Sequence, residues 1–214
     1  MAHHFFPPAS VSRKDDLQME NDWNQVWQER QQKPLIPDPW LERVLPLLPP
    51  GRALDLACGR GRNALLLAEH GYAVTALDAS AQGLAQLTQE ARRRNLVIDT
   101  LQQDLEQTPR LPEAAFDVVL QFFYLQRSLL GALREAVRPG GMAVLRTFSR
   151  AGDFPDGPGN PDYVLEIREL LQIFAGWEIL LHEEGLDEAE RGGGLAGIVA
   201  RKPLPAGQKE TPCA

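Results

Sequence analysis

The sequence predicts an α/β protein: a doubly wound, mostly parallel sheet with helices on both faces and its last strand antiparallel. Three observations carry that reading. Short apolar runs at 54–57, 73–77, 97–101, 116–122 and 142–148 mostly alternate with helical stretches, the rhythm of parallel strands joined by crossover helices. A glycine-rich turn, in LDLACGRGRN at 54–63, follows the first run at once. The chain then closes on two runs, 177–182 and 195–201, separated by Gly192, Gly193, Gly194 and acidic residues but by no helix, which predicts an antiparallel hairpin.

Each element has its own warrant. Trp23, Val26, Trp27 and Arg30 lie three and four apart, so a first helix carries both indoles on one face until Pro34, Pro37 and Pro39 end it. A second helix over 40–48 stops at Pro49, Pro50 and Gly51, and the first strand begins at 53. The crossover helices at 62–70 and 80–95 turn Leu65, Leu66 and Ala68, and Leu84, Leu87 and Ala91, toward the sheet, with Ser80 as an N-cap and Gly71 as a stop. Beyond 148 comes a loop rich in Gly, Pro and Asp, then a helix near 165–174. Residues 1–20 read as a mobile lead-in, 21–202 as one domain and 203–214 as a tail.

Composition narrows the function. The 214 residues, 43% hydrophobic and 24% charged, suit one soluble domain. A net charge of −7 and a pI near 5.2 work against nucleic acid as a partner, and the Arg92, Arg93, Arg94 run reads as the solvated end of a helix. Cys58 and Cys213 share no CxxC spacing, so neither a disulfide scaffold nor a zinc site is expected. No apolar run reaches the roughly 20 residues that span a bilayer, so no membrane role is expected and a cytoplasmic enzyme or binding protein is the default.

Gly59, Gly61 and Ala64 form G-x-G-x-x-A, and Asp78 ends the next strand, placed to accept hydrogen bonds from ribose hydroxyls. NAD and S-adenosylmethionine both carry that ribose. Asp55 discriminates between them, because a dinucleotide-binding strand is normally apolar there. A buried acid must be compensated, which a cationic ammonium or sulfonium does and a pyrophosphate does not. Asp104 accepts from an exocyclic amine while the backbone N–H of Leu105 donates to a ring nitrogen, the way adenine is read.

Together, LDLACGRGRNALLLAEHGYAVTALD, DLE at 104–106, FDVVLQFFYLQRSLL, LREAVRPGGMAVLRTF and NPDYVL at 160–165 resemble the class I S-adenosylmethionine-dependent methyltransferases, in the bacterial tellurite-resistance and thiopurine-type group. The resemblance implies a Rossmann-like, seven-stranded sheet whose last strand is antiparallel. It implies S-adenosyl-L-methionine as cofactor. Gly59 and Gly61 would pass the methionine part, Asp55 would orient its ammonium, Asp78 would hold ribose, and Asp104 with Leu105 adenine; Gln121 would lie beside the methyl. Trp23 and Trp27 match the W-x-x-x-W helix that covers the cofactor in thiopurine-type relatives, with the Trp27 indole next to the sulfonium. Two departures stand out: Arg30 is followed by Gln31 rather than Tyr, and the family's Tyr-Leu-His-Arg is here Tyr124, Leu125, Gln126, Arg127.

The expected activity is methyl transfer to a small-molecule acceptor, such as a thiol, a metalloid or another small nucleophile, by a monomer or weak homo-oligomer. The acceptor pocket is expected from Trp27, Gln121, Phe122, Tyr124 and the loop 150–163 with Tyr163. No catalytic base is assigned: His182 is alone and reads as structural, and Asp153, Asp156 and Asp162 read as turn acids rather than metal ligands. A non-catalytic cofactor-binding protein and an NAD-dependent oxidoreductase are the alternatives.

Overall fold

The computed structural model describes residues 16–107, 110–154, 157–189 and 192–205. Seven strands form one sheet in the order β3-β2-β1-β4-β5-β7-β6. They are β1 (Arg52–Leu56), β2 (Ala73–Asp78), β3 (Ile98–Gln102), β4 (Phe116–Phe122), β5 (Val137–Phe148), β6 (Glu178–Glu188) and β7 (Gly194–Arg201). β1 pairs parallel with β2 and β4, as do β2 with β3 and β4 with β5, while β7 is antiparallel to both of its neighbours. The closing hairpin and the reversed last strand are therefore as the sequence predicts.

The helices are α1 (Asp16–Glu29), α2 (Pro39–Val44), α3 (Arg62–Glu69), α4 (Ala81–Arg93), α5 (Leu130–Ala136) and α6 (Glu169–Ile173). Ser80 caps α4 by accepting from the Gly83 N–H at 3.0 Å. At the other end Arg93 and Arg94 pair with Glu90 at 2.8 and 2.7 Å, so the basic run is a solvated helix end. The boundaries differ from expectation in three places. The second helix is shorter than 40–48, because Pro46 tightens its last turn into a 3-10 turn over Leu45–Leu47. The expected 165–174 helix is only α6, since Leu165 is held extended by its N–H bond to the Phe148 carbonyl at 2.8 Å. α1 begins at Asp16, inside the expected lead-in; residues 1–15, Asp156 and Cys213 lie outside the described residues.

Strand alternation builds two cores. Ala53 on β1 and Val118, Leu120 and Phe122 on β4 face α2, α3 and α4, whereas Leu54, Leu56 and Val119 face α5 and α6. β4 is buried along its whole length, as a central strand covered on both faces must be. The strand order reverses between β1 and β4. Their following helices leave on opposite faces, so a crevice opens at the carboxyl ends of these two strands.

Candidate cofactor site

Both strands that end at the crevice break with a non-glycine residue in the left-handed region: Ala57 at φ 54° after β1 and Phe123 at φ 54° after β4. Such residues persist only where surrounding bonds hold them, and here those bonds are visible. The Cys58 N–H donates to the Leu77 carbonyl at 3.1 Å and the Phe123 N–H to the Arg146 carbonyl at 2.8 Å. Each peptide is thereby tied to a neighbouring strand.

The glycine turn is locked by Asp78. One carboxylate oxygen accepts from the Gly59 N–H at 2.7 Å and the other from the Ser80 N–H at 2.8 Å, so this acid welds the turn to the end of β2. Burial raises its pKa, and the Ser80, Gly59 and Ala79 amides oppose that rise. A carboxylate has about four lone-pair sites, so two amide bonds leave capacity for a hydroxyl.

Asp55 is placed differently. It is 2% exposed, and its Oδ2 meets no hydrogen-bond donor among the described residues. Burial first, and the charge of Asp78 second, push its pKa up to about 7, against a lowering bond from the Ala64 backbone and the charge of Arg62. A buried acid with an unmatched oxygen is costly, and a cationic group in the crevice would relieve it.

Gly59 and Gly61 have separate tasks. A Cβ at Gly59 (φ +57°) would stand 2.5 Å from Cζ2 of Trp27, so the bare backbone is what lets the indole lie on the turn. A Cβ at Gly61 (φ +71°) would run into the Leu87 side chain, so Gly61 serves the packing of α4 beneath the turn.

Trp27 stacks on Trp23 with centroids 6.1 Å apart and planes 23° apart. The helix that carries them is fixed across the turn by polar bonds at several points. Asn24 Oδ1 accepts from Ser80 Oγ at 2.7 Å and from the Gln82 N–H at 3.1 Å, and Gln86 donates to the Trp27 carbonyl at 3.0 Å. Arg60, from within the turn, donates to the carbonyls of Arg30 at 2.5 Å, Gln31 at 2.8 Å and Lys33 at 3.0 Å, closing the C-terminal end of α1. Sequence reasoning missed Asn24, Arg60 and Gln86. A charged residue between two glycines was the one readable signal, and nothing in the sequence said that it reaches back thirty positions.

On the far side, Asp104 Oδ1 accepts from the Glu106 N–H at 2.9 Å, and Leu105 is buried at 4% exposure. Gln121, 1% exposed, donates from Nε2 to the Tyr124 carbonyl at 2.8 Å, while its Oε1 has no donor among the described residues. The Tyr124 hydroxyl is likewise buried without a hydrogen-bond partner there. Burial raises its pKa, as do the charges of Glu106, Asp104 and Asp78 and the nearby Tyr163. Tyr124 thus lies within electrostatic reach of Asp78, Asp104 and Tyr163.

Phe122 lies apart from Gln121. It points to the opposite sheet face, 7% exposed and with its ring 6.1 Å from that of Trp40, because side chains alternate along β4. The neighbouring ring in the crevice is Phe123, with the Arg62 guanidinium 5.4 Å above it. His182 lies on β6 with its Nε2 buried and unpartnered among the described residues, remote from the turn in sheet order. Asp153 and Asp162 are exposed.

Comparison with known proteins agrees with this fold. Residues 53–141 match the family model described as a methyltransferase domain. TehB of Haemophilus influenzae, described as a probable S-adenosyl-L-methionine-dependent methyltransferase, is 28% identical over 150 residues, 68% of this chain and 52% of that protein. The tRNA 5-carboxymethoxyuridine methyltransferase of Escherichia coli is 33% identical over 136 residues, 58% of this chain and 52% of that one. The chain spans about half the length of the curated relatives it matches first. The crystal structure of TehB from H. influenzae superposes with a TM-score of 0.68 at 22% identity, over 84% of this chain and 67% of that chain. Residues 53–141 therefore resemble a methyltransferase domain, and the seven-stranded sheet that carries them has the fold of the TehB crystal structure.

Proposed function

We propose that the protein transfers the methyl group of S-adenosylmethionine to a small-molecule acceptor: a thiol, a metalloid or another small nucleophile. The observation that carries this reading is the unmatched Oδ2 of Asp55, buried at the glycine turn. An ammonium there compensates the charge, whereas the diphosphate of NAD would face a second anion at close range.

In this reading Asp55 orients the ammonium, Gly59 gives the methionine chain its close approach, and Asp78 keeps lone pairs for the ribose. Asp104 and the Leu105 amide read adenine, Gln121 stands near the methyl, and the Trp27 indole faces the sulfonium. Tyr124 and Tyr163 close the nucleoside side. When bound, the cofactor supplies a methyl group already attached to a good leaving group. What remains for the chain is to align the acceptor and exclude water, and no dedicated base is needed for a soft nucleophile. One domain over 21–202 and a free Cys58 thiol suit a reducing, cytoplasmic setting. No helix among the described residues is long and apolar enough to cross a membrane.

A tRNA-directed relative raises nucleic acid as an acceptor. The net charge of −7 works against that, because phosphodiesters need a basic surface. Calorimetry with S-adenosylhomocysteine and NADH, followed by labelled-methyl transfer to thiols, selenite, phenols and bulk tRNA, tests the reading. The expected result is S-adenosylhomocysteine binding without NADH binding and label in a small molecule; label in tRNA alone would overturn it.

A further inference from the structure

A cavity of about 320 Å³ opens at the carboxyl end of β5, between the loop that follows it and Gly193 and Gly194 at the start of β7. Its size suits a small ligand. The walls are the rings of Phe148 and Phe154 with Pro158, Pro161 and Val164, and much of the rest is glycine backbone. The glycines are required: a Cβ on Gly193 (φ +86°) would stand 2.7 Å from the Gly157 Cα, so the two strands of backbone make a wall by close approach.

The cavity adjoins the crevice. Phe148 meets Phe123, the residue after β4, edge-on with centroids 5.8 Å apart. Val164 lines the cavity, and the preceding Tyr163 is near enough to the Tyr124 hydroxyl to help raise its pKa. Arg127 fixes that shared wall by donating to the Asp162 carbonyl at 2.8 Å, to the Val164 carbonyl at 3.0 Å and to both oxygens of Glu169.

The polar side chains of the lining are Ser149 and Arg150, and both are engaged elsewhere. Ser149 Oγ donates to Glu184 at 3.1 Å and accepts from the Ala151 N–H at 3.2 Å; Arg150 pairs with Glu166 at 2.9 Å. Asp153 and Asp162, both exposed, belong to the same loop. The one charged side chain of the described lining, Arg150, is already paired with Glu166, so an anion entering here finds no unopposed cation, and a desolvated charge without a partner is expelled.

We propose that this cavity is the acceptor pocket and that it takes an uncharged group sized for an aromatic ring, rather than an oxyanion or a phosphodiester. The inference rests on the methyltransferase reading above and narrows its acceptor class. With a thiol acceptor, the new bond joins the acceptor sulfur to the methyl carbon. The carbon–sulfonium bond breaks with its electron pair returning to the cofactor sulfur, and the thiol proton goes to water.

Three thiols with the same nucleophile test it: phenylmethanethiol and its ring-substituted 4-carboxylate and 4-aminomethyl forms, with selenite as the oxyanion. The neutral thiol should have a kcat/KM at least about tenfold above each charged form, the ratio expected when one charge loses its solvent. Gly159 lines the cavity, and a Cβ there would have nothing within 4 Å, so Gly159→Ala and Gly159→Leu add bulk to the pocket without a clash in the fold. Transfer to phenylmethanethiol should fall in that order, with S-adenosylhomocysteine affinity and melting temperature unchanged. Equal or better use of a charged thiol or selenite, no transfer to any probe by a protein that binds the cofactor product, or full activity in Gly159→Leu overturns the proposal. Absence of S-adenosylhomocysteine binding overturns instead the reading beneath it.

Discussion

The glycine turn and the loop cavity both depend on glycine, yet they use it in different ways. In the turn, Gly59 and Gly61 lie two positions apart in a ten-residue stretch, and one acid from the next strand fixes the backbone. In the cavity, Gly157, Gly159, Gly193 and Gly194 come from two segments more than thirty positions apart, and no buried charge holds them. A site for one fixed ligand is cheapest to build from a contiguous segment with short-range bonds. A site whose ligand differs from relative to relative is built from loops, which vary without disturbing the sheet.

Gly59→Ala should give the largest effect, and it breaks the comparison if it does not. The new Cβ needs the left-handed region at φ +57° and meets the Trp27 ring at 2.5 Å, so either the turn or α1 must move. S-adenosylhomocysteine affinity should drop by about a hundredfold, roughly 2.7 kcal/mol, in calorimetry. Gly159→Ala should leave that affinity within a factor of about two, since nothing stands near its Cβ. If the clash with the indole is the cause, adding Trp27→Ala to Gly59→Ala costs less than the sum of the single changes.

Asp55 comes next, and its protonation makes the turn sensitive to pH where the cavity is not. Its ionised form is the one that compensates an ammonium, and its pKa in the free protein is about 7. Below pH 7, binding must first remove a proton, so S-adenosylhomocysteine affinity should fall by about tenfold per pH unit. Calorimetry in buffers of different ionisation enthalpy should show nearly one proton released per ligand at pH 6. The same raised pKa means that the ligand-free protein binds more protons than the unfolded chain. Its stability should therefore decline as pH rises from about 4 to about 7. Asp55→Asn should abolish the pH dependence, weaken binding and raise the melting temperature at pH 8; a lower melting temperature there would mean that Asp55 is not strained.

The sequence revealed these two regions unequally. Asp55, Gly59 and Asp78 were legible because their chemistry is local: an acid where an apolar residue belongs, two glycines at a strand–helix junction, an acid closing the next strand. The closing hairpin was legible because nothing between 182 and 195 could form a crossover. Phe122 was misplaced because a strand's last residues alternate faces, and the expected pocket took Phe122 and Tyr124 as one wall. Phe123, bent to φ 54° and tied to the Arg146 carbonyl, is the ring that packs against the cavity's Phe148. Arg60 and Asn24 were hidden for another reason. Arg60 bonds backbone carbonyls, which leave no complementary residue type for a reader to find, and Asn24 meets the Ser80 hydroxyl across 56 positions of sequence.

The smallest effect, and the one that sharpens the boundary between the regions, belongs to Arg127. It sits on the crevice side of β4's end but holds the cavity wall through the 162 and 164 carbonyls and Glu169. Its side chain is 39% exposed and that of Glu169 14%, so the pair itself contributes at most about 1 kcal/mol to stability. Arg127→Ala should leave the melting temperature within a few degrees and S-adenosylhomocysteine affinity unchanged. The acceptor KM should rise about threefold at constant kcat, because the wall shared by Val164 and Tyr163 loosens without touching the transfer geometry. Amide exchange should accelerate at 162–165 and not at 57–61. Glu169 gives a second handle, since the Arg127 guanidinium holds its carboxyl below the usual range. The clamp is fully formed above that ordinary range and is lost only as pH falls through the lowered value, so the KM effect of Arg127→Ala should be constant from pH 6 to 8. A KM change that instead tracked pH 7 would assign Arg127 to the cofactor turn, and the two regions would no longer be separable at that residue.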